Sequence, residues 1–220
     1  MTAPTPTPTP SQWAEGFRSL AASGLPEGLP EAEAPIQARS AFAAAFRDER
    51  GNRPKPVTEF LAHALDLPAT DTPDPRGDAA LWHALRTGDA VTTTNAGPLF
   101  PGLSNEGIEI WTETELAGLH ALTWHAIADP AFRPRVISAA EWHVQTLQPD
   151  NATNHPWGVH VFALLAARTG DPAATLHAQT LAHNCRVATG TPDRVSALVL
   201  ADAARALDAI IEQTDWLAPT

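Results

Sequence analysis

The sequence predicts an all-α protein of stacked antiparallel α/α hairpins, forming a partial toroid or a short solenoid. Three observations carry this expectation. Apolar residues recur at helical spacing in segment after segment, Pro, Gly and Asp punctuate those segments, and β-branched runs are nearly missing from an alanine-rich chain. With 220 residues, 44% of them hydrophobic, the chain is long enough for one sizeable core, and a single helical domain is expected over 11–220.

Residues 1–10 alternate Thr or Ala with Pro, offer nothing apolar to bury, and read as a disordered tail. Helices are then expected at 11–23, 31–49, 56–66, 77–87, 113–128, 134–148, 156–169, 172–188 and 192–213. Asp171-Pro172 and Thr191-Pro192 each set a capping oxygen before a proline, and so mark the two firmest helix starts. Between the fourth and fifth helices a long loop spans about 88–112, rich in Gly, Pro, Asn and Ser. Loops of that length in compact domains are often functional, though a plain connection between two helical halves explains it equally. The strand candidates Val91-Thr92-Thr93-Thr94 and Ile108-Glu109-Ile110-Trp111 allow at most a minor β-hairpin near 90–111. Sliding the second half by 40 residues aligns Gly118-Leu119-His120 with Gly158-Val159-His160, and His143 with His183, a sparse internal match.

Charge and composition exclude several classes of function. A net charge of -11 with no basic stripe repels a polyanion, so nucleic acid is not an expected partner. The longest apolar runs fall well short of the roughly 20 residues that span a bilayer, so no membrane partner is expected either. The first residues lack the basic and apolar regions of a secretory signal, and a cytoplasmic location is expected. The arginine-for-lysine and alanine bias suggests a GC-rich, bacterial source. The single cysteine, Cys185, has no internal disulfide partner and projects away from the apolar stripe assigned to its helix, which makes it a poor nucleophile candidate. No Gly-rich phosphate loop or nucleophile elbow occurs, and no cofactor is expected.

The nine histidines carry more information. Helical projection turns His120, His143, His160 and His183 toward the apolar faces of four successive helices. Each could be a core imidazole bonded to a neighbouring carbonyl, or together they could converge on one polar pocket. No pair has i, i+4 ligand spacing and no HExxH motif occurs, so no metal is expected. Trp82-His83, Trp124-His125 and Trp142-His143 repeat a dipeptide near helix ends, which packing alone can explain. Asp202 borders the apolar stripe of the last helix and is read as the partner of an arginine.

The densest polar stretch is 141–160. Trp142, His143, Asp150, Asn151, Asn154, His155, Trp157 and His160 gather there around one tight loop, and with His183 they form the candidate ligand pocket. Indole rings beside amide and carboxylate groups are the chemistry of a sugar-like or small polar ligand site. In an enzyme, Asp150 would be the acid or base and His143 or His155 its partner.

The succession of helix pairs from about 113 to 213, with His, Asn and Trp at helix ends, resembles part of an α/α-toroid. That architecture is shared by terpenoid cyclases and by several glycosidases and polysaccharide lyases. The resemblance covers under half of the chain, which is short for a complete six-hairpin ring. It implies a helical-hairpin stack; no DxDD-like acid motif occurs, and no catalytic residue carries across. Two functions follow as expectations: a non-catalytic scaffold or binding module for a protein partner, or an enzyme or small polar ligand binder with a His/Asn/Asp/Trp-lined pocket.

Overall fold

The computed structural model describes residues 7–51, 57–68, 76–103, 105, 107–147, 155–213 and 216. Those residues form nine α-helices and no strand: α1 Pro10–Ala22, α2 Ile36–Ala45, α3 Val57–Ala64, α4 Asp78–Thr87, α5 Ile108–Ala128, α6 Arg133–Thr146, α7 Val159–Thr169, α8 Pro172–Asn184 and α9 Arg194–Ile211. The all-α expectation holds, and the minor hairpin that the sequence allowed is not formed among the described residues. Residues 91–94 are irregular, and 108–111 are the first turn of α5, opened by Gly107, whose carbonyl accepts from Trp111 N. β-propensity over four residues is a weak preference and yields here to their place at the start of a 21-residue helix, which buries Trp111 and leaves Ile108 and Ile110 exposed.

Local signals set most of the helix starts. Thr9 and Gln12 form a reciprocal capping box around Pro10, and Asp171 caps α8 ahead of Pro172 as the sequence implies. The α9 cap is Asp193 instead of Thr191, its carboxylate accepting from Ser196 N. Helix α2 is much shorter than the expected 31–49, because Pro35 stands at its N-cap and fixes an extended backbone there.

Helices α5 and α7 form the centre. Residues 159–166 of α7 are all buried, and α5 is buried on nearly every side from Trp111 to Ala126. Around them α1 lies against α9, α8 against α7, and α4 against α5, while α7 also touches α1, α5, α6 and α9. Helix α8 turns almost the opposite face inward from the one its large apolar residues suggest. Ala174, His177, Ala178, Leu181, Ala182 and Cys185 are buried, whereas Leu176, Val187 and His183 are exposed. Small alanines allow close approach to the fully buried α7, and that contact outweighs two isolated large side chains. The reversal also buries Cys185, whose thiol burial pushes up to about 11.

The loop before α5 is tied down. Glu115, fully buried, accepts from Leu99 N at 2.7 Å and from Phe100 N, and Trp111 Nε1 donates to the Phe100 carbonyl at 3.1 Å. Arg135 donates to Thr94 Oγ1 and to the Gly97 carbonyl. The Phe100 ring lies over Gly118, where any Cβ would drive into it. This loop is therefore part of the packed structure.

Gly158 has φ +67°, and a Cβ there would stand 3.2 Å from the Leu116 carbonyl oxygen. Gly158→Ala is expected to destabilise the protein by about 1–3 kcal/mol, read as a lower urea midpoint at unchanged slope. A midpoint equal to that of the parent would show that this backbone can relax.

Candidate functional site

The residues expected to share one pocket are divided among several surroundings. Trp142 is half-buried and packs edge-on against Trp111 at 6.1 Å. His143 is buried on α6 with Nε2 3.7 Å from Glu115 Oε2, and neither ring nitrogen makes a hydrogen bond. His155 and Trp157 meet on Glu113, which accepts from His155 Nδ1 and from Trp157 Nε1. His160 is fully buried beside His120, with 4.3 Å between ring centroids and no hydrogen bond to either nitrogen. His183, expected to face inward, is exposed because of the rotation of α8; His177 takes the inward position and stacks on Phe162 at 4.2 Å. Asp150, Asn151 and Asn154 lie outside the described residues.

The three Trp-His pairs have separate surroundings, and packing accounts for them apart from Trp124. Trp82 is edge-on to Phe60, His125 Nε2 donates to the Leu81 carbonyl at 2.9 Å, and Trp142 meets Trp111.

A different centre forms around Asp202 on α9. It is 2% exposed, on the wall of a groove, and two helices besides its own, α3 and α5, bring side chains to it. The Gly158 N–H donates to His120 Nδ1 at 3.4 Å, so His120 Nε2 carries the proton that it donates to Asp202 Oδ2 at 3.1 Å. Trp124 Nε1, one turn further along α5, donates to the same oxygen at 2.8 Å. The other oxygen, Oδ1, is buried and makes no hydrogen bond. It faces the Arg205 guanidinium at 3.4 Å and His63 Nε2, itself without a hydrogen bond, at 3.9 Å. His63, on α3, lies between two indoles, 5.1 Å from each of Trp82 and Trp124.

Electrostatics at this centre are lopsided. Burial alone would raise the Asp202 carboxyl, but the His120 hydrogen bond and the nearby His63 and Arg205 hold it well below the usual carboxylate range. Burial pushes His63 below its ordinary value, opposed by Asp202, and pushes His160 well below. The result is an anion fixed among imidazole and indole rings, with one oxygen that faces Arg205 but makes no hydrogen bond.

The groove holds about 480 Å³ and runs between the segment before α2, the end of α3 and the outer face of α9. Leu29, Leu65, Leu198 and Ala201 supply its apolar wall, with Arg39, Asp66 and Arg205 at the polar edge. Both arginines serve the C-terminal carbonyls of α3: Arg39 donates to Leu65 O at 2.7 Å and Asp66 O at 3.0 Å, and Arg205 to Ala64 O at 3.4 Å. Cations belong at such a terminus.

No family model, curated protein or solved structure matches this chain. Among the described residues no group of three or more His, Cys, Asp or Glu side chains is arranged to hold a metal ion, and no helix is long and apolar enough to cross a membrane.

Asp202 does face the arginine expected for it, Arg205, while His63, Glu113 and Glu115 had no place in the expected site. One signal was available for the two glutamates. Helix α5 is apolar almost all round, so carboxylates inside it had to be at least half-buried and paired.

Two measurements test these environments. Asp202→Ala leaves His120 Nε2 and Trp124 Nε1 as buried donors without an acceptor, and a loss of about 3–5 kcal/mol is expected in urea unfolding. Asp202→Asn, which keeps an acceptor oxygen, should lose clearly less; equal losses would mean that the hydrogen bonds contribute little. The second concerns Asp78, buried at the start of α4, whose Oδ2 lacks a hydrogen bond and whose carboxyl burial pushes up to about 7, with Glu113 adding to the effect. The native state therefore holds a proton that the unfolded chain has released, and this contribution to stability falls as pH rises from about 4 through 7. Asp78→Asn should melt above the parent at pH 8, with the gap closing toward pH 4. A gap that is the same at every pH would refute the assignment.

Proposed function

We propose that this protein binds a small ligand in the groove between the segment before α2, the end of α3 and α9, with Asp202 as the anchoring group. The observation that carries this reading is the buried Oδ1 of Asp202, an ionised acceptor without a hydrogen bond on the wall of a groove that joins apolar side chains to a charged edge. Leaving a buried charge unsatisfied costs free energy, and a ligand donor would recover it. A concave, mostly apolar pocket with a few polar groups is the usual form of a small-molecule site. The groove falls in the lower part of the usual size range for such sites, which suits a ligand of modest size.

The stacked-hairpin, toroid-like arrangement belongs to the same reading. The successive pairing of α5 with α6, α6 with α7 and α7 with α8 supports it. The scaffold reading draws support from a separate place, Ile108 and Ile110 on the first turn of α5, which are 59% and 61% exposed.

A protein-observed NMR fragment screen distinguishes the two, with the indole N–H resonance of Trp124 as the reporter beside Asp202. Fragments should shift that resonance, and Ala201→Trp, which fills the groove from an accessible position, should abolish the binding while the fold is retained. Fragments that still bind Ala201→Trp and ignore Asp202→Asn would sink the groove reading. Binding lost only on Ile108→Ser with Ile110→Ser would support the scaffold.

A further inference from the structure

From the groove reading above, we infer that the ligand is an organic cation, a guanidinium or primary amine on an apolar body, and that the Arg205 guanidinium occupies the position its charge would take. Three kinds of cation-recognising group meet at the guanidinium of Arg205. It faces Asp202 Oδ1 at 3.4 Å, donates to the Ala64 carbonyl at the end of α3 at 3.4 Å, and lies over the Trp124 ring at 5.5 Å. Carboxylate, helix C-terminal carbonyl and indole face each favour a positive charge, and an indole does so through its ring quadrupole.

Arg205 fills these positions only loosely. Its side chain is 55% exposed, whereas that of Asp202 is 2% exposed, and no hydrogen bond links the two. An exposed guanidinium gains little from such a pair, since water screens it and the long side chain must be ordered. A ligand cation that carries its own apolar body can bury that body against Leu29, Leu65 and Leu198 while its charge replaces the guanidinium. Arg205 then swings into solvent, three residues along α9 from the carboxylate it released.

Charge balance along the groove points the same way. Glu31, Asp66 and Asp202 line it against Arg39 and Arg205, and Arg39 is committed to the Leu65 and Asp66 carbonyls and the Asp66 carboxylate. Once Arg205 leaves, the wall is anionic, and a negatively charged ligand would meet a carboxylate with no hydrogen-bond donor to offer it. His63 Nε2, 3.9 Å from Oδ1, stands where it can contact the same bound group.

The test uses three probes that share one apolar body: phenethylguanidine, the neutral phenethylurea and the anionic 3-phenylpropionate, titrated by calorimetry into the whole chain. Phenethylguanidine should bind the parent, bind Arg205→Ala about tenfold more tightly because an exposed ion pair and a cation–π contact no longer compete, and be lost in Asp202→Asn. Arg205→Met, which keeps an apolar stem over Trp124, replaces Arg205→Ala if the latter does not fold, with the same expected direction. Phenethylurea or phenylpropionate binding as well as the guanidine, or guanidine affinity unchanged or weakened on removal of Arg205, would overturn the cation assignment and leave the groove reading standing. If none of the three binds the parent or either Arg205 variant, and the fragment screen also finds no Ala201→Trp-sensitive ligand, the groove reading falls and this inference with it.

Discussion

The buried carboxylate of Asp202 is the constraint around which the helices are arranged. An ion removed from water loses several kcal/mol of solvation unless donors replace it. Here the donors come from α5, through His120 and Trp124, with Arg205 from α9 itself and His63 from α3 close by. The register of α5 against α9 is thereby fixed to within a hydrogen bond. His120 can donate only because its other nitrogen accepts from Gly158, at a backbone angle that favours glycine, so the turn leading into α7 is tied to the same carboxylate. One acidic side chain thus couples four helices and one glycine.

A second carboxylate does comparable work at the opposite side of α5. Glu115 accepts the two backbone N–H groups of Leu99 and Phe100, which turns a long irregular segment into a packed element, and Arg135 holds the same segment through a side-chain oxygen and a carbonyl. Length and glycine content alone suggested a loop available for function. The polar groups of Thr94, Gly97, Leu99 and Phe100 are instead bonded within the fold. Glu113, sharing its carboxylate between His155 and Trp157, ties the dense polar stretch to the same helix.

The imidazoles divide by what surrounds them. His125 and His155 have definite partners in a carbonyl and a carboxylate, and burial that would lower His155 is outweighed by Glu113 and the further charges of Asp193 and Glu49. His160 and His177 sit among apolar and aromatic groups, and burial drives both well down, His177 to about 4. Such rings act as aromatic filler with a polar edge. His63 and His120 differ from both groups because they flank a single carboxylate that also borders a groove.

Sequence by itself determined the helical class, most of the helix positions, the N-cap of α8 as a local start signal, and the inward facing of His120, His143 and His160. These follow from short-range rules of periodicity, capping and proline geometry, which operate within a few residues. It could not determine which face of α8 turns inward, because close packing of alanines against α7 competed with the pull of Leu176 and Val187. Nor could it join His63, His120 and Asp202, which stand on α3, α5 and α9 with 139 residues between the first and the last (202 − 63). That convergence was decided by tertiary structure alone. Solvation of a buried charge depends on whatever the folded chain brings within about 4 Å of it, and spacing along the sequence carries no record of that distance.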